Sequence, residues 1–250
     1  MPTTSLLGAR IDALSMREAL EVVTALVTKG HPSQVITMNP EYLYRAQREP
    51  LLLDIANGAA LVTADGVGIV WAARLAGRPV PERVTGIDLM LALLERASAK
   101  GWRVFLLGAA PGVAEEAAEK ARERWPSLVI CGTHHGYFET GEDDRIIGKV
   151  RAAAPDLLFL GLGAPKQELW GARYLQDLGV PVVMGVGGSF DVLAGKVKRA
   201  PAWLRKLHLE WLGRLLREPR RWRRQMVLPK FILMVLWRYR TPGRRNRSKA

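Results

Sequence analysis

The chain has 250 residues, 48% hydrophobic and 24% charged, enough to bury the core of one ordinary to large domain plus an appendage. Its 37 Lys or Arg against 24 Asp or Glu give a net charge of +13; the single cysteine, Cys131, excludes an internal disulfide, and no Cys/His spacing suggests zinc. No apolar run approaches the roughly 20 residues that cross a bilayer, so no spanning helix is predicted.

The opening stretch, MPTTSLLGARIDALS, lacks the basic start, apolar core and small-residue cleavage site of a secretory signal, and reads as retained in the cytosol. A helix is predicted over 15–29 and a strand over 34–38, which runs into Thr37-Met38-Asn39-Pro40. A helical pattern over 41–57 leads to a strand over 61–63 that ends in Thr63-Ala64-Asp65-Gly66. Helices over 67–76 and 86–100 enclose a loop opened by Pro79 and Pro81 that carries Arg83. The strand over 103–107 ends in Gly108-Ala-Ala-Pro-Gly112, followed by a helix over 112–124 and a strand over 128–132, near whose end Cys131 fits as a small buried residue. A helix over 142–153 precedes the strand 156–161, whose exit reads Gly161-Leu-Gly-Ala-Pro-Lys-Gln-Glu168. After a helix over 166–178, the strand over 181–186 opens into Gly185-Val-Gly-Gly-Ser-Phe-Asp191. Alternation of this kind predicts an α/β fold with a mostly parallel sheet flanked by helices, and ligands then gather beyond the carboxyl ends of the strands.

Those strand ends carry the chemistry. Gly185-x-Gly187-Gly188 and Gly108 to Gly112 each follow a strand and precede a helix start, where free backbone N–H groups cradle a diphosphate or where glycine serves only a tight turn. Neither fits the GxGxxG fingerprint or a P-loop; the two together favour a nucleotide diphosphate. Asp65 fits two roles, a general base pointing into a cleft or the N-cap of the next helix. Thr37 and Asn39 suit sugar recognition, and Asn39-Pro40 equally suits a helix start. Lys166, Gln167 and Glu168 form a first helical turn in solvent or a set of substrate contacts, Gln167 the most site-like of them; Arg83 is a candidate phosphate clamp or a solvated loop arginine. There is no Asp-x-Asp motif, so a metal-bridged diphosphate site is disfavoured, which leaves cationic side chains and backbone amides to neutralise a departing phosphate; no cofactor is expected.

The last segment differs in kind. Residues 196–250 hold 18 Lys or Arg against Glu210 and Glu218, an excess of +16 in a chain of +13, so the preceding residues sum to −3. Division is therefore expected into a catalytic domain, 1–195, and a basic appendage, 196–250, in which Trp203, Trp211, Trp222, Trp237 and Tyr239 interleave with the charges. Aromatic and basic residues of this pattern suit an anionic membrane surface. Arg214, Arg217, Arg221 and Arg224 recur at helical spacing, if Pro219 leaves that helix intact.

Four ordered motifs, Thr63-Ala-Asp-Gly66, Arg83-Val-Thr-Gly-Ile-Asp88, Gly163-Ala-Pro-Lys-Gln-Glu168 and Gly185-Val-Gly-Gly-Ser-Phe-Asp191 followed by Gly195-Lys-Val-Lys-Arg-Ala-Pro201, resemble the WecG/TagA/CpsF glycosyltransferases, glycosyltransferase family 26, over roughly residues 5–240. The resemblance implies a Rossmann-like fold of the GT-E type with a basic helical appendage. It implies an enzyme at the cytoplasmic face of the membrane that moves N-acetylmannosamine or a related hexose from UDP to undecaprenyl-diphosphate-linked N-acetylglucosamine, with inversion and without a metal, in teichoic acid or similar biosynthesis. By the same resemblance Asp65 is the general base, and Thr37, Asn39, Arg83 and Gln167 surround donor sugar and acceptor. Gly187 and Asp191 hold diphosphate and ribose, Tyr137 stacks on uracil, and Arg214, Arg221 and Arg224 stabilise the leaving UDP.

Two other classes compete. A nucleic-acid-binding protein would use the Trp/Arg tail for base stacking, although the apolar stretch 231–237 has more use in lipid and the diphosphate-like loops would go unexplained, so no nucleic-acid partner is expected. A nicotinamide oxidoreductase would need the absent fingerprint. The oligomeric state is open, since a partner subunit is an alternative cover for the apolar tail.

Overall fold

The computed structural model describes residues 1–139, 141–199 and 226–240. Its centre is a six-stranded parallel sheet with strand order β4-β3-β8-β7-β5-β6. The strands are β3 (Ser33–Met38), β4 (Leu61–Ala64), β5 (Arg103–Gly108), β6 (Val129–His134), β7 (Leu157–Gly161) and β8 (Val182–Gly185). Each lies within two residues of its expected bounds.

Helices cover both faces. Val35, Leu61, Val104, Leu106 and Met184 point to the side that packs α1 (Met16–Lys29), α5 (Gly86–Lys100) and α6 (Val113–Arg124). Their alternates divide over the other side. Ile36 and Val62 meet α2 (Pro40–Ala46), α3 (Pro50–Gly58) and α4 (Val67–Leu75), while Phe105, Leu107 and Val183 meet α7 (Asp143–Ala153), α8 (Lys166–Arg173) and α9 (Leu175–Leu178). Burial of both faces explains why these strands read as continuous apolar runs.

Three departures have local causes. The helix expected over 41–57 breaks into α2 and α3, because Pro50 at the first turn of α3 lacks an N–H and forces Glu49 out of helical geometry (φ −121°, ψ 88°). The helix expected over 166–178 divides at Tyr174. An antiparallel hairpin, β1 (Thr3–Leu6) and β2 (Ala9–Asp12), precedes the first expected strand. Its two-residue turn places Leu7 and Gly8 at φ 52° and 85°, the twist such turns need, although Leu seldom takes that conformation. The hairpin is tied to β4 by buried Asp12, whose Oδ2 accepts from the Val62 amide at 2.8 Å.

Two further helices complete the described residues. α10 (Ser189–Leu193) follows β8, and α11 (Val227–Arg240) lies across α2 and α4 with Phe231 and Val235 fully buried among their apolar side chains. Tyr239 accepts the Leu7 amide on its hydroxyl at 2.9 Å, fixing α11 to the hairpin. Gly68 lets α4 approach the start of α2, since a Cβ there would stand 2.7 Å from Pro40, while Phe231 at 3.7 Å is in ordinary contact range.

Candidate active site

A cavity of about 650 Å³ opens where β4, β3, β8 and β7 end side by side. Each strand contributes its exit: Thr37, Asn39 and Pro40 from β3, Asp65 to Gly68 from β4, Gly163, Ala164, Gln167 and Glu168 from β7, and Val186 to Ser189 from β8. The loop before α5 adds Arg83, Thr85, Gly86 and Ile87; α11 closes one side with Val227, Leu228, Pro229, Phe231 and Ile232. The chamber thus has a polar floor and one apolar wall.

Asp65 is not a helix cap. The N-cap of α4 is Gly66, held at φ 94° without a side-chain bond, while the Asp65 Oδ2 accepts from the Gly86 amide at 3.1 Å. That amide belongs to the first turn of α5, so a helix N-terminus faces the carboxylate. Thr37 meets the same point; a Cβ on Gly86 would lie 3.0 Å from its hydroxyl, so glycine lets the helix start approach β3. Asn39 does cap a helix, accepting the Tyr42 amide on Oδ1 at 2.9 Å, and it also lines the cavity. Its dual sequence reading thus resolves into a cap positioned at the site.

The α5 start is braced from below. Thr85 caps it through Asp88, and Arg199 grips both Asp88 oxygens at 2.7 and 2.8 Å. Burial pushes the Asp88 carboxyl up, but hydrogen bonds from Arg199 and Thr85, with the charges of Arg199 and Arg83, outweigh it and hold the group below its ordinary range.

On the opposite side, Gln167 spans the floor. Its Oε1 accepts from the Gly187 amide at 2.9 Å and its Nε2 donates to Glu168 Oε1 at 2.7 Å. Glu168 is 4% exposed, and burial pushes its carboxyl up to about 7 against the opposing hydrogen bonds from Gln167 and its own backbone.

Of the expected residues, Thr37, Asn39, Asp65, Arg83, Gln167 and Gly187 line this one cavity. Asp191 does not line it but stays beside it, its Oδ2 3.6 Å from where a Gly188 side chain would begin. Tyr137 is 73% exposed beyond β6 and away from the lining. Arg214, Arg221 and Arg224 lie outside the described residues. The loop after β5 also stands apart. There Gly108, at φ 143°, serves packing, because a Cβ would fall 2.5 Å from the Gly161 backbone. Lys166 is exposed and sits over the Phe138 ring at 4.8 Å instead of entering the cavity.

Sequence reading passed over Thr85 and the α11 wall, and it left Glu168 open between a solvated first turn and a substrate contact, where the structure buries it. Thr85 carried a legible signal, a Thr three residues before Asp88 at a helix start. Among the described residues no helix is long and apolar enough to cross a membrane.

The profile of the Glycosyl transferase WecG/TagA/CpsF family matches residues 4–245. A protein of Bacillus spizizenii strain W23 named N-acetylglucosaminyldiphosphoundecaprenol N-acetyl-beta-D-mannosaminyltransferase is 37% identical over 213 residues, 85% of this chain and 82% of the relative. Proteins of the same name are 34% identical over 232 residues in Staphylococcus aureus strain MW2, covering 92% and 91%, and 36% identical over 203 residues in Bacillus subtilis strain 168, covering 81% and 78%.

Proposed function

The chain belongs to the WecG/TagA/CpsF glycosyltransferase family, and we propose that it transfers N-acetylmannosamine, or a related hexose, from UDP to N-acetylglucosamine carried on undecaprenyl diphosphate, with inversion and without a metal. One observation carries this reading: a carboxylate, Asp65, and a glycine-rich strand exit, 185–189, face each other across a cavity whose third side is apolar. A sugar-diphosphate substrate bearing a lipid chain has the same division of polarity.

In the proposed reaction the acceptor hydroxyl gives its proton to Asp65 as its oxygen bonds to the anomeric carbon. The bond from that carbon to the β-phosphate oxygen breaks on the opposite side, and the electron pair leaves with UDP. The Gly188 amide of the 185–189 loop, whose neighbours at 186, 187 and 189 already donate within the protein, and the Arg83 guanidinium stabilise the departing charge, joined by Arg214, Arg221 and Arg224 of the basic segment 196–250. Thr37 and Asn39 hydrogen-bond the sugars, Asp191 holds the ribose at the rim, and Tyr137 reaches the uracil only if its segment moves inward. The body, 1–195, supplies the base and the sugar contacts, while the basic segment lends its arginines to the leaving group and brings the site to the cytoplasmic face of an anionic membrane.

Incubation with a panel of UDP-hexosamines and a short-chain diphosphate-linked N-acetylglucosamine, with and without chelator, tests the proposal by mass spectrometry of the product. A disaccharide formed equally in both arms from UDP-N-acetylmannosamine is expected. Product that disappears in chelator removes the metal-free step, and no product from any donor removes the assigned substrates.

A further inference from the structure

Glu168 is a buried acid that the transfer scheme above leaves without a task. Its Oε2 is enclosed without a hydrogen-bond partner, while Oε1 accepts from Gln167 Nε2 at 2.7 Å. Its main-chain carbonyl accepts from Gln34 Nε2 at 2.9 Å, which ties position 168 to β3 whatever side chain stands there. Gln167 in turn receives the Gly187 amide at 2.9 Å and lies so close over Gly185 that a Cβ on that glycine would come within 2.5 Å of Nε2.

An amide in this slot has two settings, half a turn apart. The Gly187 N–H is a donor and demands Oε1; the Glu168 oxygen is an acceptor and demands Nε2, so both ends select the same setting. In the reversed setting two donors would meet at Gly187 and two acceptors at Glu168. Burial, which pushes this acid up to about 7, favours a neutral carboxyl whose carbonyl oxygen still accepts from Gln167.

We infer that Glu168 is a positioning residue: through Gln167 it holds the 185–189 backbone in the arrangement that receives the donor diphosphate, an assignment that rests on the nucleotide reading above. The carboxyl touches no substrate. It acts by keeping one amide oriented, and that amide keeps one loop in place.

Amide hydrogen exchange on the ligand-free full chain and titration with UDP test this with Glu168→Met, which removes the acceptor, and Glu168→Gln, which keeps an oxygen for Gln167. Loss of one buried hydrogen bond predicts about tenfold faster exchange at 185–190 and about tenfold weaker UDP binding in Glu168→Met, with a raised donor KM and an unchanged acceptor KM. Glu168→Gln restores all of these to within about twofold. A loop in Glu168→Met that exchanges as in the unaltered protein, or a Glu168→Gln variant as impaired as Glu168→Met, overturns the inference. If Glu168→Met does not fold, Gln167→Met decides, since it cuts the same strut at its other member; a quiet loop there is equally fatal. Unaltered protein that binds no UDP refutes the nucleotide reading and the link to the donor, while the exchange contrast still decides the strut.

Discussion

Asp65 accepts from a backbone donor, the Gly86 amide at the first turn of α5, and that contact orients the carboxylate. Asp65→Asn retains an oxygen for the same amide, so it should fold normally, yet it cannot take up the acceptor proton. Its kcat should fall by about 10²–10⁴ with little change in donor KM, the usual span for a general base, as measured by steady-state kinetics. Glu168 gives the residue scale a pH signature. Its folded pKa of about 7 exceeds the ordinary 4.5, so the native state holds the proton more tightly than the unfolded chain. The contribution of this group is fully present below pH 4.5 and is lost as pH rises through 7, a change on the order of 3 kcal/mol. Glu168→Gln does not titrate; its melting temperature relative to the unaltered protein should therefore climb between pH 4.5 and 7.5. Parallel pH profiles for the two proteins would refute the raised pKa.

At the scale of elements, two glycines at strand ends predict different kinds of damage. Gly108→Ala drives a methyl against the Gly161 backbone at 2.5 Å, and neither chain can yield, so a loss of about 3 kcal/mol in urea unfolding is expected. Gly185→Ala also meets a neighbour at 2.5 Å, but that neighbour is the Gln167 side chain, from Nε2 back to Cγ, which must shift as a whole. Stability should fall by about 2 kcal/mol as the buried bonds to Glu168 and the Gly187 amide are lost, and donor KM should rise for the same reason. The same contrast explains what was legible beforehand. The six strands could be read because burial on both faces writes an uninterrupted apolar run, and α5 because Leu89, Met90, Leu93, Leu94 and Ala97 recur at helical spacing. The hairpin escaped because Leu7 takes a left-handed turn that its side chain does nothing to advertise. Lys166, Gln167 and Glu168 look alike as a polar triplet; only the α8 rotation that buries two and exposes the first separates strut from surface. The stretch 231–237 was equally ambiguous, because a helix gives one apolar run two destinies: Phe231 and Val235 enter the core while Ile232, Leu233 and Trp237 stay exposed.

For the whole molecule, the division of charge and the placement of α11 act together. Removing residues 196–250 would strip away the cations, but it would also withdraw Phe231 and Val235 from the core, so truncation confuses function with folding. Substitution separates the two effects. The body's slight negative charge gives an acidic membrane no reason to attract it, whereas the +16 of the last segment does, at about 1 kcal/mol per cation near the surface. The exposed Ile232, Leu233 and Trp237 of α11 add a salt-insensitive part, and the Arg199 grip on Asp88 anchors the start of that segment beside the site. In flotation with vesicles rich in acidic phospholipid, binding should be strong at low salt and decline, without vanishing, as salt screens the charges. Leu233→Asp with Trp237→Ala should remove the salt-resistant remainder, and Arg214→Ala with Arg221→Ala and Arg224→Ala should weaken the salt-sensitive part. Binding indifferent to both lipid charge and salt would break the connection between charge asymmetry and membrane docking. Attraction to the leaflet is required by the proposed substrate, because an acceptor on a polyprenyl chain stays in the bilayer and the cavity must be carried to it.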